Sequence, residues 1–511
     1  MAQAFITPAK LLLAALLLIG ALLVCAVIAV RDSGAWLASG GSDSADIVFL
    51  PPTEVPLTPQ STLEPLPSPT PDAPHKLPTL RPEAETYVIQ AGDSLNQIAE
   101  RYGVSVAAIV NSNDLANPDY LEIGQTLTIP PPEPESTGPA FKVIPDSELV
   151  FSPGNASFDT AAFIGEKGGY LASYREEVEG RQATGTEIVQ RVAQDFSVNP
   201  RLLLAVLEHQ SGWVTQSRPA EETLDYPIGV YEEFRQGLYF QLAWAADRLN
   251  RGYYLWRVNG VPTWNLADES NVPIDPTINA GTAGIQGFFA LFHGRQAWEQ
   301  AVTEGGFFTT YNALFGNPFQ YAVEPLIPPD LTQPPMQLPF EAKKTWAFTG
   351  GPHGGWGNGS AWAALDFAPP GKALGCVQSN AWVVAVGDGP IVRTGTGVVV
   401  QDLDGDGQEQ TGWTVLYMHI ESRDRVEAGT LLKAGDRIGH PSCEGGVSTG
   451  THLHLARRYN GEWIPADQGI PFEMDGWVSM GQGTEYDGFL VKNGKTVEAW
   501  EGRDPINAIR R

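Results

Sequence analysis

The pattern of apolar and polar positions divides the chain before any single residue is interpreted. After Lys10, residues 11–30 are apolar without interruption, and Arg31-Asp32 ends the run. That length matches a spanning helix and exceeds the roughly 7–15 residues of a cleaved signal core. It predicts an uncleaved membrane anchor behind a short cytoplasmic segment, residues 1–10, with the lysine on the inner side; a cleaved signal is the alternative. Leu22-Leu23-Val24-Cys25 has the outline of a lipoprotein site, but the valine and the apolar residues that follow argue against one. On each reading the rest of the chain is extracytoplasmic. Residues 31–85 hold 11 prolines between Pro51 and Pro82, a composition that cannot bury a core and favours an extended spacer. Shorter proline-rich joints at 131–139 and 325–339 separate three pieces, 86–130, 140–324 and 340–511.

Each piece has its own period. In 86–130, Tyr87-Val88-Ile89 reads as a strand. Leu95, Ile98, Ala99 and Tyr102 follow at helical spacing behind Asp93 or Ser94 as a cap, then a helix over Val106–Ser112 and a strand over Thr126–Ile129. In 140–324, Thr186–Phe196 and Pro200–His209 carry apolar residues at i, i+3 and i+4, with Pro200 where a helix tolerates proline. From 340 onward the pattern shifts to short strands between glycine turns, at Trp382–Val386, Val398–Gln401, Thr414–Met418, Arg437–Gly439 and His452–Ala456. The predicted fold is multidomain: a transmembrane helix, a small β-α-α-β module, a mostly helical middle domain and an all-β C-terminal domain.

Composition narrows the partners. A hydrophobic content of 42% with 14 Trp supplies real cores, and a formal charge of −27 argues against nucleic acid or an anionic membrane surface as the main partner. Of the three cysteines, Cys376 and Cys443 lie in the exported C-terminal piece. They could form one disulfide, or remain two small buried thiols.

The first piece resembles the LysM module, from its opening Tyr87–Leu95 segment to Ile123-Gly124-Gln125-x-Leu127-x-Ile129-Pro130. The resemblance implies binding of peptidoglycan or another N-acetylglucosamine-containing glycan through Asp93, Ser94, Leu95, Asn117, Pro118 and Ile123. In the second piece, Val198–Gly212 and Gly281-Thr282-Ala283-Gly284-Ile285-Gln286 resemble lysozyme-like glycan hydrolases, with one departure. The glutamate those enzymes place before the serine is Gln210 here, and glutamine cannot act as a general acid. Glu208 lies about 200° round the helix from it, so the domain is expected not to be catalytic.

The third piece carries the chemistry. His452 and His454 stand two apart in a strand-like stretch, on one face, with Leu453 facing the core. With Gly350-Gly351-Pro352-His353, Ala364-Leu365-Asp366-Phe367-Ala368 and Leu416-Tyr417-Met418-His419, the pair resembles the LytM-like zinc endopeptidases, and more closely their beta-lytic, LasA-type branch. A short His-x-x-x-Asp pair is absent, since Trp362 stands four before Asp366; His353, 13 residues before it, fits the long spacing of that branch. The resemblance implies that His353, Asp366 and His454 bind one Zn2+ and leave a fourth position to water, while His419 and His452 handle the proton and the oxyanion. His440, before Pro441, is read as no ligand. Asp402, Asp404 and Asp406 begin like a calcium loop, but Trp413 replaces the closing glutamate, so a polar hairpin is expected rather than Ca2+. The resulting expectation is a membrane-anchored (or, if cleaved, secreted) cell-wall peptidoglycan hydrolase. It would be a zinc metalloendopeptidase cutting stem or cross-bridge peptides, held on glycan by LysM. The alternatives are a non-catalytic scaffold or hydrolase activator, and a glycan hydrolase working through the middle domain.

Overall fold

The computed structural model describes residues 75, 83–90, 93–102, 104–115, 121–131 and 136–511. The expected span at 11–30 and most of the proline-rich stretch lie outside them. Among the described residues no helix is long and apolar enough to cross a membrane.

The 86–130 piece has the expected order. Glu85–Val88 pairs antiparallel with Thr126–Ile129, and the helices Leu95–Tyr102 and Val106–Ser112 lie between them in sequence. Tyr87, Ile89, Leu95, Ile98, Ile109 and Leu127 close a small core. Ser105 starts the second helix by accepting from the Ala108 N–H.

The middle piece is built around helices Gly185–Phe196, Pro200–Ser211, Leu238–Arg257 and Ala280–Ala290. Asn199 caps the second of these, Pro200 opens it, and Gly212 ends it in the left-handed region. All eight residues from Pro200 to Leu207 are buried, so this helix is the domain's centre rather than a surface element. Leu238–Arg257 and Ala280–Ala290 touch backbone to backbone: a side chain on Gly252 would meet the Ala283 carbonyl, and one on Gly284 the Leu249 carbonyl.

The C-terminal piece is a sheet whose strands run in the order Leu431–Leu432, Gly389–Gly395, Val398–Asp402, Trp413–Met418, Leu453–Tyr459, Ala364–Ala368, Thr345–His353 and Ala508–Arg510. A separate four-stranded sheet covers Glu473–Glu498. Period-two alternation splits the main sheet into two faces. Leu365, Phe367, Val399, Val415, Tyr417, Leu453 and Leu455 fill the domain's own core. Ala364, Val398, Val400, Leu416, Met418 and Ala456 point the other way and share one core with the helical domain.

The second and third pieces are therefore not independent, contrary to the expectation of three separated domains. A polar seam reinforces the shared core. Arg393 donates to Asp195 at 2.6 Å and to Glu409 at 3.0 Å, and Arg458 donates to Glu409 at 2.8 Å. Ser197 Oγ donates to the Gly461 carbonyl, and Trp463 Nε1 to that of Phe196. Nor does the 325–339 joint act as a loose spacer. Met336 and Leu338 are buried, and the Gln337 amide donates to the Val386 carbonyl, so the joint is packed along the β domain.

Candidate metal centre

Strand register builds the site. Met418 pairs with His454, His454 with Asp366, and Asp366 with Gly350, one row across four strands. Alternation then sends Asp366 and His454 to the face carrying Ala364 and Ala456, the face that meets the helical domain. His353 ends its strand beside them. His353 Nε2 lies 3.2 Å and His454 Nδ1 3.3 Å from Asp366 Oδ1, and the two nitrogens are 3.0 Å apart.

The hydrogen bonds of these rings test whether a metal fits. His353 Nδ1 donates to the Gly351 carbonyl at 2.7 Å, and His454 Nε2 to the Gly355 carbonyl at 3.1 Å. A carbonyl only accepts, so in the neutral rings each proton sits on the outer nitrogen. The inner nitrogens are bare acceptors, and Asp366 Oδ1 is buried without a hydrogen-bond partner. Three lone-pair donors thus converge on one buried point with no proton between them, which suits a divalent cation. Charge follows the same logic. Burial opposes the Asp366 charge, but His353 and His452 hold its carboxyl well below the ordinary range. Burial likewise opposes the charge on His353, yet Asp366 raises that ring, while burial lowers His454.

The other two imidazoles are anchored in the same way. His452 Nδ1 donates to the Gly450 carbonyl at 2.7 Å, and its Nε2 lies 3.7 Å from Asp366 Oδ2. His419 Nδ1 donates to the Glu444 carbonyl at 3.1 Å, and the two rings are 4.5 Å apart. His419 has φ +63°, an unfavourable conformation for a side chain of this kind, found where a strand must turn a ring into a site. Burial and the neighbouring imidazoles push its pKa down to about 3. A disulfide joins Cys376 to Cys443. It braces the loop whose Ser442 and Glu444 hold the His419 carbonyl and ring.

Several contributors to the site carry no local sequence signal. Tyr486, at the tip of a hairpin in the second sheet, stacks on His353 with ring centroids 4.3 Å apart. Carbonyl oxygens of Gly351, Gly355, Gly450 and Glu444 set the tautomers, and no side-chain pattern announces a carbonyl. Gly350 is the exception, because the Gly-Gly pair is visible. A Cβ there would lie 2.8 Å from Asp366 Oδ2. Gly350→Ala should therefore displace the carboxylate and weaken metal binding by about 10–100-fold, as loss of a ligand-orienting contact does; competition with a chromophoric chelator measures it.

The remaining candidates lie apart from this centre. His440 donates to the Ala381 carbonyl and packs on Trp382. Oxygens of Asp402, Asp404 and Asp406 fall within 4.8 Å of one another. The Asp402 carboxylate, however, is taken up by the amides of Asp404, Gly405 and Gly407, as in a tight turn. In the 86–130 piece, Asp93 accepts from the Tyr87 hydroxyl and the Gln90 amide, Ser94 Oγ accepts from the Gln97 amide, Leu95 is buried and Ile123 is 74% exposed. Asn117 and Pro118 lie outside the described residues. In the helical domain, the Glu208 carboxylate accepts from the amides of Val214 and Thr215 and from the Thr215 hydroxyl, and Gln210 donates to the Ile228 carbonyl. Glu208 is thus fully engaged in holding a turn.

A buried His/Asp/His cradle with two further histidines beside it, on an exported β domain, is a metallopeptidase arrangement. Comparison with known proteins agrees. Residues 87–130 match the LysM domain, 142–330 the N-terminal domain of LasA, and 371–465 peptidase family M23. Protease LasA of Pseudomonas aeruginosa is 26% identical over 308 residues, covering 56% of this chain and 69% of its own. Among solved structures, pseudoalterin, an M23 metalloprotease from the deep sea, is 23% identical, covering 35% of this chain and all of its own at a TM-score of 0.28. The catalytic domain of lysostaphin from Staphylococcus simulans is 26% identical, covering 24% of this chain and 89% of its own at a TM-score of 0.18. Segment by segment, the chain is similar to a LysM-containing metalloendopeptidase of the LytM/LasA type.

Proposed function

We propose that this protein is a zinc endopeptidase that cuts peptide bonds in the stems or cross-bridges of peptidoglycan, outside the cytoplasm, while its LysM module holds glycan. The observation that carries the reading is the convergence of His353 Nε2, His454 Nδ1 and Asp366 Oδ1, three acceptors facing one buried point. Two imidazole nitrogens and one carboxylate oxygen suit zinc better than the all-oxygen preference of calcium or magnesium, and leave a position open. When bound, the metal acts as a Lewis acid and brings the pKa of its water to about 7.

The protein's own groups do the rest. His452 and His419 present their Nε2 sides to the site because Nδ1 of each is held by a carbonyl. A neutral Nε2 can accept a proton from the attacking water and return it to the leaving amine, and a protonated one can stabilise the oxyanion. The disulfide fits an oxidising compartment. Tethering by LysM raises the local concentration of peptide at the cleft. Mass spectrometry of digested sacculi tests the assignment. New peptide termini are expected; new reducing or anhydro-sugar ends alone would assign the activity to the helical domain, and an unchanged digest would leave a scaffold.

A further inference from the structure

Carbonyl oxygens orient both imidazoles of the metal cradle, and one of those carbonyls lies on a loop that the helical domain holds. Between the strands Thr345–His353 and Ala364–Ala368 the chain leaves the sheet as the loop 354–363. Its Gly355 carbonyl accepts from His454 Nε2 at 3.1 Å. The loop is closed on itself: the Gly355 amide donates to the Ala361 carbonyl at 3.0 Å, and the Trp356 amide to Ser360 Oγ at 3.0 Å. Gly355 also lies against the Trp463 ring, which a Cβ there would approach to 2.6 Å. A closed loop moves as a unit, so whatever fixes its position also fixes the Gly355 carbonyl.

One face of the helix Leu238–Arg257 does the fixing. Asp247, Asn250 and Tyr254 stand at i, i+3 and i+7, a single stripe along that helix. Asp247 Oδ1 accepts from the Gly359 amide at 2.8 Å, and its Oδ2 lies 3.5 Å from Arg248. Loop and helix touch backbone to backbone here, since a Cβ on Gly359 would collide with the Asp247 carbonyl. Asn250 donates to the Phe196 carbonyl at 2.8 Å, the oxygen that also receives Trp463 Nε1 at 3.3 Å. The Tyr254 hydroxyl accepts from the Trp463 amide at 3.0 Å. The stripe thus holds the loop twice, directly at Gly359 and through Trp463 at Gly355. The Gly359–Asp247 bond is buried, so water does not replace the acceptor if it is lost.

We propose that Asp247 is a positioning residue for the metal centre: through Gly359 it fixes the loop, and the Gly355 carbonyl then keeps the His454 proton on Nε2 and leaves Nδ1 free for the metal. The helical domain on this reading completes the centre that the β domain carries. A neutral imidazole released from that carbonyl can hold its proton on either nitrogen, and the form protonated at Nδ1 offers the cradle no lone pair. Loss of such a ligand-orienting contact costs about 10–100-fold in metal affinity. The proposal rests on the endopeptidase reading above, and only on its metal centre.

The test uses the full chain and two readouts besides activity. Zinc affinity comes from competition with a chromophoric chelator, and the His454 tautomer from the ring-nitrogen chemical shifts of labelled histidine in the metal-free protein. Asp247→Ala removes the acceptor; it should weaken zinc binding about 10–100-fold and move the His454 shifts toward a mixture of tautomers. Asp247→Asn keeps an oxygen for the Gly359 amide and should bring both readouts back near the parent's. Ile164→Ala, in the core of the helical domain on the helix Thr160–Lys167, lowers stability and should leave both readouts unchanged. Should Asp247→Ala fail to fold, Tyr254→Phe replaces it, removing only the acceptor of the Trp463 amide, and should shift both readouts in the same direction. Zinc affinity and His454 shifts equal to the parent's in the acceptor variant, or an Asp247→Asn chain as impaired as Asp247→Ala, would overturn the positioning role. A parent that binds no zinc, or binds it and releases no peptide from sacculi, would instead sink the endopeptidase reading, and the His454 shifts would still decide the contact.

Discussion

Asp366→Asn should abolish peptide cleavage and the stability that the parent gains from metal. Asparagine preserves the shape of the side chain and removes its charge. In the metal-free protein that charge is buried and one oxygen has no hydrogen bond, but His353 and His452 hold the carboxyl in its charged form. A carboxyl with a depressed folded value contributes stability at neutral pH, so the variant should be somewhat less stable than the metal-free parent as well as disabled at the site. With metal present the gap widens. The parent gains about 2.7 kcal/mol at a metal concentration 100-fold above Kd, and the variant gains none. Cleavage should fall on the order of 10³-fold or more, about 4 kcal/mol of transition-state stabilisation. Thermal melts with and without zinc, alongside peptide release from sacculi, give both readouts. A variant that still binds zinc tightly, or whose melting rises with zinc as much as the parent's does, would show the cradle to be a structural cluster.

Local signals were strong where one residue's environment is set by its sequence neighbours. The helix Val106–Ser112 and the strands Thr126–Ile129 and Arg437–Gly439 run as their periodicity predicts. Pro200 opens its helix as expected, and the helix runs on to Ser211, two residues past the predicted end. The two-apart spacing of His452 and His454 fits the strand edge, where His454 is in the strand Leu453–Tyr459 and His452 just before it. The cradle needed more. His353 and Asp366 both precede the M23 match that begins at residue 371, and only the Gly-Gly-Pro-His and Leu-Asp-Phe contexts marked them. Long-range pairings had no marker. Arg393 and Asp195 are 198 residues apart, and each alone reads as a surface charge. Tyr486 reaches His353 from a hairpin that no local pattern ties to a metal site. The joint at 325–339 shows the same limit: its prolines exclude helix but do not say whether an extended chain is solvated or packed, and here Leu338 is fully buried.

The shared core makes the domain junction the second sensitive point, and Glu409→Gln should expose it. Glu409 is buried and receives Arg393 at 3.0 Å and Arg458 at 2.8 Å, beneath helices of the neighbouring domain. Glutamine fits the same space, so the change isolates charge from packing. It leaves two buried guanidinium groups with Asp195 as the one remaining carboxylate of the cluster. Breaking a buried pair from one side costs about 3–5 kcal/mol, because the stranded charge keeps its desolvation penalty. Burial opposes the Glu409 charge, but Arg393 and Arg458 hold its carboxyl below the usual range. A carboxyl with a depressed folded value contributes stability above its unfolded pKa, about 4.3, and loses it as pH falls through the folded one. The gap between parent and variant should therefore be constant near neutrality and close only in stronger acid. Asp388→Asn, at the exposed Lys433 pair, is the control and should change nothing measurable. Urea unfolding followed by tryptophan fluorescence reads the difference. Unfolding identical to the parent at neutral pH would mean that packing alone holds the junction and that the ion pairs are incidental to it.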